Sequence, residues 1–162
     1  MPKQEYTPKQ LPIIINPNPI LRQISDNIKP DDIKRSDFQQ LLADMKETMI
    51  KKDGAGLAAP QIGKNIRIVV IHHNDKIYFL INPKITKRSW AREVEEEGCL
   101  SVLDKKGEII YGRVERHKKV NCAYLDEKGR LKKLGADRIM SRIIQHELDH
   151  LDGVLFIDKL AK

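Results

Sequence analysis

The stretch IIQHELDH, residues 143–150, places two histidines four positions apart around a glutamate. At 3.6 residues per turn, His150 lies about 40° around a helix from His146, and Glu147 about 100°. All three side chains then share one side of that helix. Two imidazoles so placed can grip one divalent ion while the carboxylate handles the proton of a water beside it, which is the physical content of the H-E-x-x-H pattern. Composition alone produces such a match in about one chain in a hundred of this kind. The bland alternative, a solvated helix with incidental histidines, sits poorly with the isoleucines and leucines around the motif. Burying two histidines and a glutamate without partners would cost several kcal/mol. His72, His73 and His117 have no such spacing and suit strand ends or the surface.

The helix carrying the motif is expected from Asp137, a candidate N-cap, to Gly153, a candidate C-cap, with Ile139, Ile143, Ile144, Leu148 and Leu151 as apolar contacts. Upstream, SDFQQLLADMKETMIKK (36–52) sets Phe38, Leu41, Leu42, Met45 and Met49 on one helical face, and Ser36 with Gln39 reads as a capping box. Its methionines fit as core filler. The prolines of LPIIINPNPILRQ (11–23) argue for an extended segment and a turn. Between the helices, IRIVVIH (66–72) and KIYFLINP (76–83) read as strands, and KKVNCAYLD (118–126) turns through EKGR into LKKL as a hairpin. Cys122 alternates with Val120 and Tyr124 and reads as a small buried hydrophobe. No repeat or linker interrupts this order. The expectation is therefore one domain over residues 1–162, with 1–10 a mobile lead-in. Its fold class is α+β, with antiparallel strands packed around a central C-terminal metal-binding helix and an N-terminal amphipathic helix.

Two histidines do not complete a catalytic metal site, which takes three protein ligands and an open position. Downstream of His150 only Asp152 and Asp158 are on offer, one beside the helix stop and the other in a short tail. Upstream, EEEGCLS (95–101) holds Cys99 after a glycine and a run of acids, and a thiolate is a strong ligand for a borderline-soft metal. Spacing favours Cys99, with the two aspartates still open.

Composition sets the outer bounds. The 162 residues carry 30 Lys+Arg against 23 Asp+Glu, a net charge of +7, which favours encounter with polyanions such as RNA, although scattered lysines on a soluble surface account for it as well. No run of about 18 apolar residues exists to span a membrane. The polar start MPKQEYTPKQ shows no export signal, and two cysteines offer no disulfide framework, so the cytosol is the expected compartment.

Three segments together carry a resemblance. GAGLAAPQ (54–61), EGCLS (97–101) and QHELDHLDG (145–153) resemble, in order, the three signature motifs of the peptide deformylases. The likeness runs from about Ile13 to the tail, including NPILR (18–22) and VLFID (154–158). It implies removal of the formyl group from the N-terminal formylmethionine of new polypeptides, with release of formate. It also implies Cys99, His146 and His150 as metal ligands and Glu147 as general acid/base, with Gln61 and the backbone N–H of Leu100 steadying the oxyanion. One divalent ion is implied, Fe2+ as the natural one, while such a donor set also accepts Zn2+, Ni2+ or Co2+. The partners implied are N-formylmethionyl nascent polypeptides and, near its exit tunnel, the ribosome; neither a membrane nor DNA is expected.

Within that frame, Gly54 and Gly56 fit either a tight turn or a loop that admits substrate backbone, with Ala55 and Gly98 as hydrogen-bonding neighbours. Ile139 and Ile143 are expected to line an apolar pocket for the methionine side chain. Arg116 matches an arginine that follows the cysteine motif in the family, and Asp53 is expected to pair with it, either bracing the site or as a surface ion pair. Leu103 stands where many relatives have proline, and LDKKGEIIYG (103–112) is somewhat long. Some bacterial relatives carry a longer C-terminal helix that docks on the ribosome. Two other readings compete: a metallopeptidase of the H-E-x-x-H type, and a ribosome- or RNA-binding module with a structural metal. The cysteine motif separates the first from the deformylases. The glutamate inside the ligand pair speaks against the second, because a closed structural site needs four ligands and no base.

Overall fold

The H-E-x-x-H segment lies on helix α2, Arg138–Leu151, in a computed structural model that describes residues 5–162. Asp137 precedes the helix in an extended conformation and makes no side-chain cap. Gly153 follows it with φ +74, where a Cβ would meet the Arg22 carbonyl oxygen at 2.5 Å, so the helix stops where only glycine fits. Helix α1, Ser36–Lys51, is the amphipathic one. The Ser36–Gln39 capping box does not form: helical geometry already begins at Ser36, and the Gln39 amide instead donates to the Ile33 and Glu127 carbonyls.

Strands β1 (Gly56–Ala58), β2 (Ile68–His73), β3 (Lys76–Arg88), β6 (Lys119–Leu125) and β7 (Leu131–Asp137) form an antiparallel sheet in that spatial order. Strands β4 (Arg92–Leu103) and β5 (Ile109–His117) make a separate antiparallel pair. The hairpin expected over 118–134 is β6–β7, with Leu125 opposite Leu131 at its turn, and Cys122 is buried as expected.

The central strands bury both faces. Alternate residues of a strand point to opposite sides. Ile68, Val70 and Ile81 therefore pack with Leu42, Met45 and Met49 of α1, while Val69, Ile71 and Leu80 pack with Ile144, Leu148 and Leu151 of α2. This accounts for the uninterrupted apolar run of β2. A third cluster joins Leu21, Val102, Val114, Leu155 and Phe156 and seats the β4–β5 pair against the two ends of the chain.

Part of the expected lead-in, residues 1–4, lies outside the described residues. From Tyr6 onward that segment is tied to α1 rather than loose: the Tyr6 hydroxyl and the Lys9 N–H donate to Asp44, and the Leu11 N–H donates to Thr48 Oγ1 at 2.8 Å. Among the described residues no helix is long and apolar enough to cross a membrane.

Ile144 is fully buried between α2 and the sheet, one turn before the first helix glutamate that faces the cleft. Ile144→Ala should lower unfolding free energy by about 2–5 kcal/mol, read as a lower urea midpoint at unchanged m-value.

Candidate metal centre

Cys99 on β4 and His146 and His150 on α2 bring one ligand atom each to within 4.8 Å of one another. Cys99 Sγ lies 3.3 Å from His150 Nε2. Two ligands on one tetrahedral ion of this donor class sit about 3.5 Å apart, so the trio is spaced to hold a metal. Asp152 and Asp158 take other partners, Arg67 and Arg22 respectively. The chemistry of one thiolate and two imidazoles fits Zn2+ or a first-row ion such as Fe2+.

Strand periodicity explains which side chains of β4 join the site. Glu97, Cys99 and Ser101 alternate onto one face, and all three are buried. The β4–β5 ladder pairs as far as Gly98 opposite Tyr111 and resumes only at Leu103 opposite Ile109, so the strand departs from regular register where Cys99 and Leu100 lie.

Glu97 orients the first imidazole. Its carboxylate accepts from His146 Nδ1 at 2.8 Å, from Arg116 Nε and Nη2 at 3.0 and 2.9 Å, and from Arg142 Nη1 at 2.6 Å. Burial by itself would raise this carboxyl, but the hydrogen bonds from His146 and Arg116 prevail and hold it well below the usual carboxylate range. Arg116 also donates to Asp149, which in turn receives Lys159. The expected Asp53–Arg116 pair is therefore corrected: Arg116 is 4% exposed and spends its donors on Glu97 and Asp149, while Asp53 lies at the cleft rim. His150 has no matching support, since its buried Nδ1 lacks a protein partner. Burial, aided by His146 and Arg116, pushes its pKa down, leaving the ring neutral and ready to bind a cation. For metal-free His146, burial alone would lower the pKa, yet hydrogen bonds with Cys99 and Glu97 raise it to about 10. The Phe156 ring stacks behind His146 at 6.1 Å, placing the VLFID segment in the wall of the site.

Glu147 is buried, and its Oε2 has no hydrogen-bond partner. Burial pushes its carboxyl up to about 7. Gly56 makes room for it: a Cβ there would come within 2.7 Å of Glu147 Oε1. Gln61 is held by its Oε1, which accepts from the Ala58 N–H at 3.0 Å, so its Nε2 faces Ser101 Oγ at 3.1 Å and Cys99 Sγ at 3.5 Å.

A cavity of about 290 Å³ opens beside these groups, bordered by Gly54, Ala55, Gly56, Gln61, Gly98, Cys99, Leu100, Ile143, His146 and Glu147. Asp53, Glu96, Glu97, Ile109, Tyr111 and Arg142 complete its wall. Ile139 is not among them; it is 66% exposed and borders a different hollow with Lys118 and Arg138, because it sits one helical turn too early to face the cleft. Sequence reasoning passed over Glu97, Ser101, Arg142 and Asp149. Two signals could have found the first two: period-2 alternation from Cys99, and the rule that a ligating histidine hands its second ring nitrogen to a carboxylate or carbonyl. Arg142 and Asp149 carry no such local signal.

Glu97→Gln should weaken zinc binding by about 10–100-fold through loss of the His146 support, measured by chelator competition.

The sequence model of the polypeptide deformylase family matches residues 10–162. The chain is 43% identical over 156 residues to a peptide deformylase of Mesorhizobium japonicum, covering 93% of this chain and 84% of that one. Among solved structures, a Met-Ala-Ser-bound class I type b peptide deformylase from Acinetobacter baumannii is similar with a TM-score of 0.88 at 30% identity, covering 95% of this chain and 100% of that one. A peptide deformylase from Synechococcus elongatus in complex with actinonin gives 0.85 at 37% identity, covering 100% and 85%. With a Cys-His-His centre built on the same fold, the chain belongs to the polypeptide deformylase family.

Proposed function

We propose that this deformylase removes the formyl group from the N-terminal formylmethionine of newly made polypeptides, releasing formate, and that residues 1–162 act as one catalytic unit in the cytosol. The observation that carries this reading is the pairing of the Cys-His-His trio with a buried carboxylate, Glu147, whose Oε2 has no protein partner. That free oxygen suits a proton acceptor facing a water in the cleft. A solved relative at 30% identity holds Met-Ala-Ser, a peptide that begins with methionine. Fe2+ is the proposed natural ion, with Zn2+, Ni2+ or Co2+ as substitutes. Ribosome-borne nascent chains are the proposed source of substrate.

Cys99, His146 and His150 would hold the ion. When bound, it supplies Lewis acidity, polarising the formyl carbonyl and bringing the pKa of water toward neutrality. Glu147 accepts the proton of the attacking water and returns it to the departing amine. Gln61 and the Leu100 N–H stabilise the oxyanion. The Ala58 N–H fixes the Gln61 amide with its donors toward the cleft, and the loose 3.5 Å contact with Cys99 Sγ is exchangeable for a stronger bond to negative oxygen. Gly98 and Ala55 border the path for substrate backbone, and Ile143 supplies apolar wall for the methionine side chain.

The metallopeptidase alternative lacks comparable support, because the cysteine ligand lies upstream on β4 and the family match covers residues 10–162.

Anaerobically purified, Fe2+-loaded protein should release formate from a formyl-Met peptide, and Glu147→Gln should keep its metal while losing about 10²–10⁴ in kcat. Absence of formate release by the metal-loaded protein would overturn the reading. Gln61→Ala should lose about 10²–10³. Gly56→Ala, which drives a methyl into Glu147, should reduce kcat sharply at unchanged metal content, measured by formate release alongside metal analysis.

A further inference from the structure

The metal ligands and the cleft occupy one side of α2. On the other, Gln145, Leu148 and Asp149 border a second cavity of about 700 Å³, whose lining includes six Lys or Arg residues and three acids. Four of those cations, Arg67, Arg92, Arg116 and Lys159, already face acids. Lys84 and Arg88 at its edge do not. Both, like their chain neighbour Lys87, are exposed and make no ion pair among the described residues.

Between Arg88 and Arg92, which both line the cavity, the chain carries Trp90, 97% exposed and the only tryptophan of the sequence. It tops the link between β3 and β4, and that link is pinned. The Ser89 N–H donates to the Lys119 carbonyl at 2.9 Å, the Lys119 N–H to Ser89 Oγ at 3.0 Å, and the Lys118 N–H to the Ala91 carbonyl at 2.9 Å. His117 Nδ1 meets the Ser89 carbonyl at 2.7 Å, joining the link to the cavity that His117 also borders. An indole held out on a hydrogen-bonded turn leaves its whole apolar surface in water, an arrangement unusual for tryptophan in a surface that only has to stay soluble.

We propose that Trp90 and the basic cavity beside it form a binding surface for single-stranded RNA. A base stacks on the exposed indole, and the flanking phosphates follow Arg88 and Lys84 into the cavity. Stacking on an aromatic ring with cations tracking the backbone is how single strands are held without sequence readout. The concavity favours this ligand over a lipid surface, since a flat bilayer cannot reach cations that line a hollow. Because the surface lies across α2 from the cleft, RNA and formylated peptide bind without excluding one another. The inference does not depend on the proposed substrate.

As the sole tryptophan, Trp90 reports its own engagement. Titrating the metal-loaded protein with an oligouridylate of about twelve nucleotides should quench its fluorescence, and log affinity should fall with log salt at a slope of about −2 to −3, for three or four phosphates neutralised. Using end-labelled RNA and anisotropy, Trp90→Ala should weaken binding by about tenfold or more, and Trp90→Phe should restore most of it. The double variant K84E/R88E should weaken binding and flatten the salt dependence. Formate release from a short formyl-Met peptide should be unchanged in all three. The proposal is overturned if RNA leaves the fluorescence unchanged, or if Trp90→Ala binds labelled RNA as the parent does. It is equally overturned if vesicles containing phosphatidylserine, and not RNA, alter the Trp90 emission.

Discussion

The carboxylate of Glu97 is the point on which the catalytic half of the molecule depends. It is buried on β4 and receives donors from Arg116 on β5 and from Arg142 and His146 on α2. A buried carboxylate is tolerable only when its lone pairs are met by charged or well-aligned donors, and here all of its donors come from structure that must be docked for the site to exist. Removing the carboxylate would leave Arg116 buried without its main partner, so structural cost and loss of metal geometry are coupled. Arg142 extends the tie, since it also donates to the carbonyls of Val114 and Glu93 and so fastens α2 to both strands of the pair.

Around that tie, the two sheets divide the labour. The five-stranded sheet is packed by α1 on one face and α2 on the other, which makes it a rigid bed. It sets α2 at a fixed depth, and β1 at its edge brings Gly56 against Glu147. The β4–β5 pair then closes over the other side of α2's ligand face and contributes the thiolate. A metal ligand set drawn from two separate sheets-and-helix units is precise only if both are anchored, and the third apolar cluster with Phe156 behind His146 provides the second anchor.

The same helix separates two kinds of surface. Its cleft side is small and partly apolar, with Gly54, Gly56 and Gly98 in its wall. The far side is broad and lined by six cations and three acids.

The residues alone determined a good deal. The spacing of His146, Glu147 and His150 is a local property of a helix, so helical geometry was enough to assign them to one face. The two helices and the β6–β7 hairpin were legible for the same reason, since their periodicities are read within a few residues. Cys99 was reachable by its glycine and its chemistry. What the tertiary structure alone decided is everything that depends on distance between elements: the partner of Arg116, which is Glu97 and Asp149 and not Asp53; the absence of Ile139 from the cleft; and the anchoring of Tyr6 on α1. Ion pairs between strands, and the side of a helix that meets a cavity, are set by long-range packing, and no window of sequence contains the residues on both sides of such a contact.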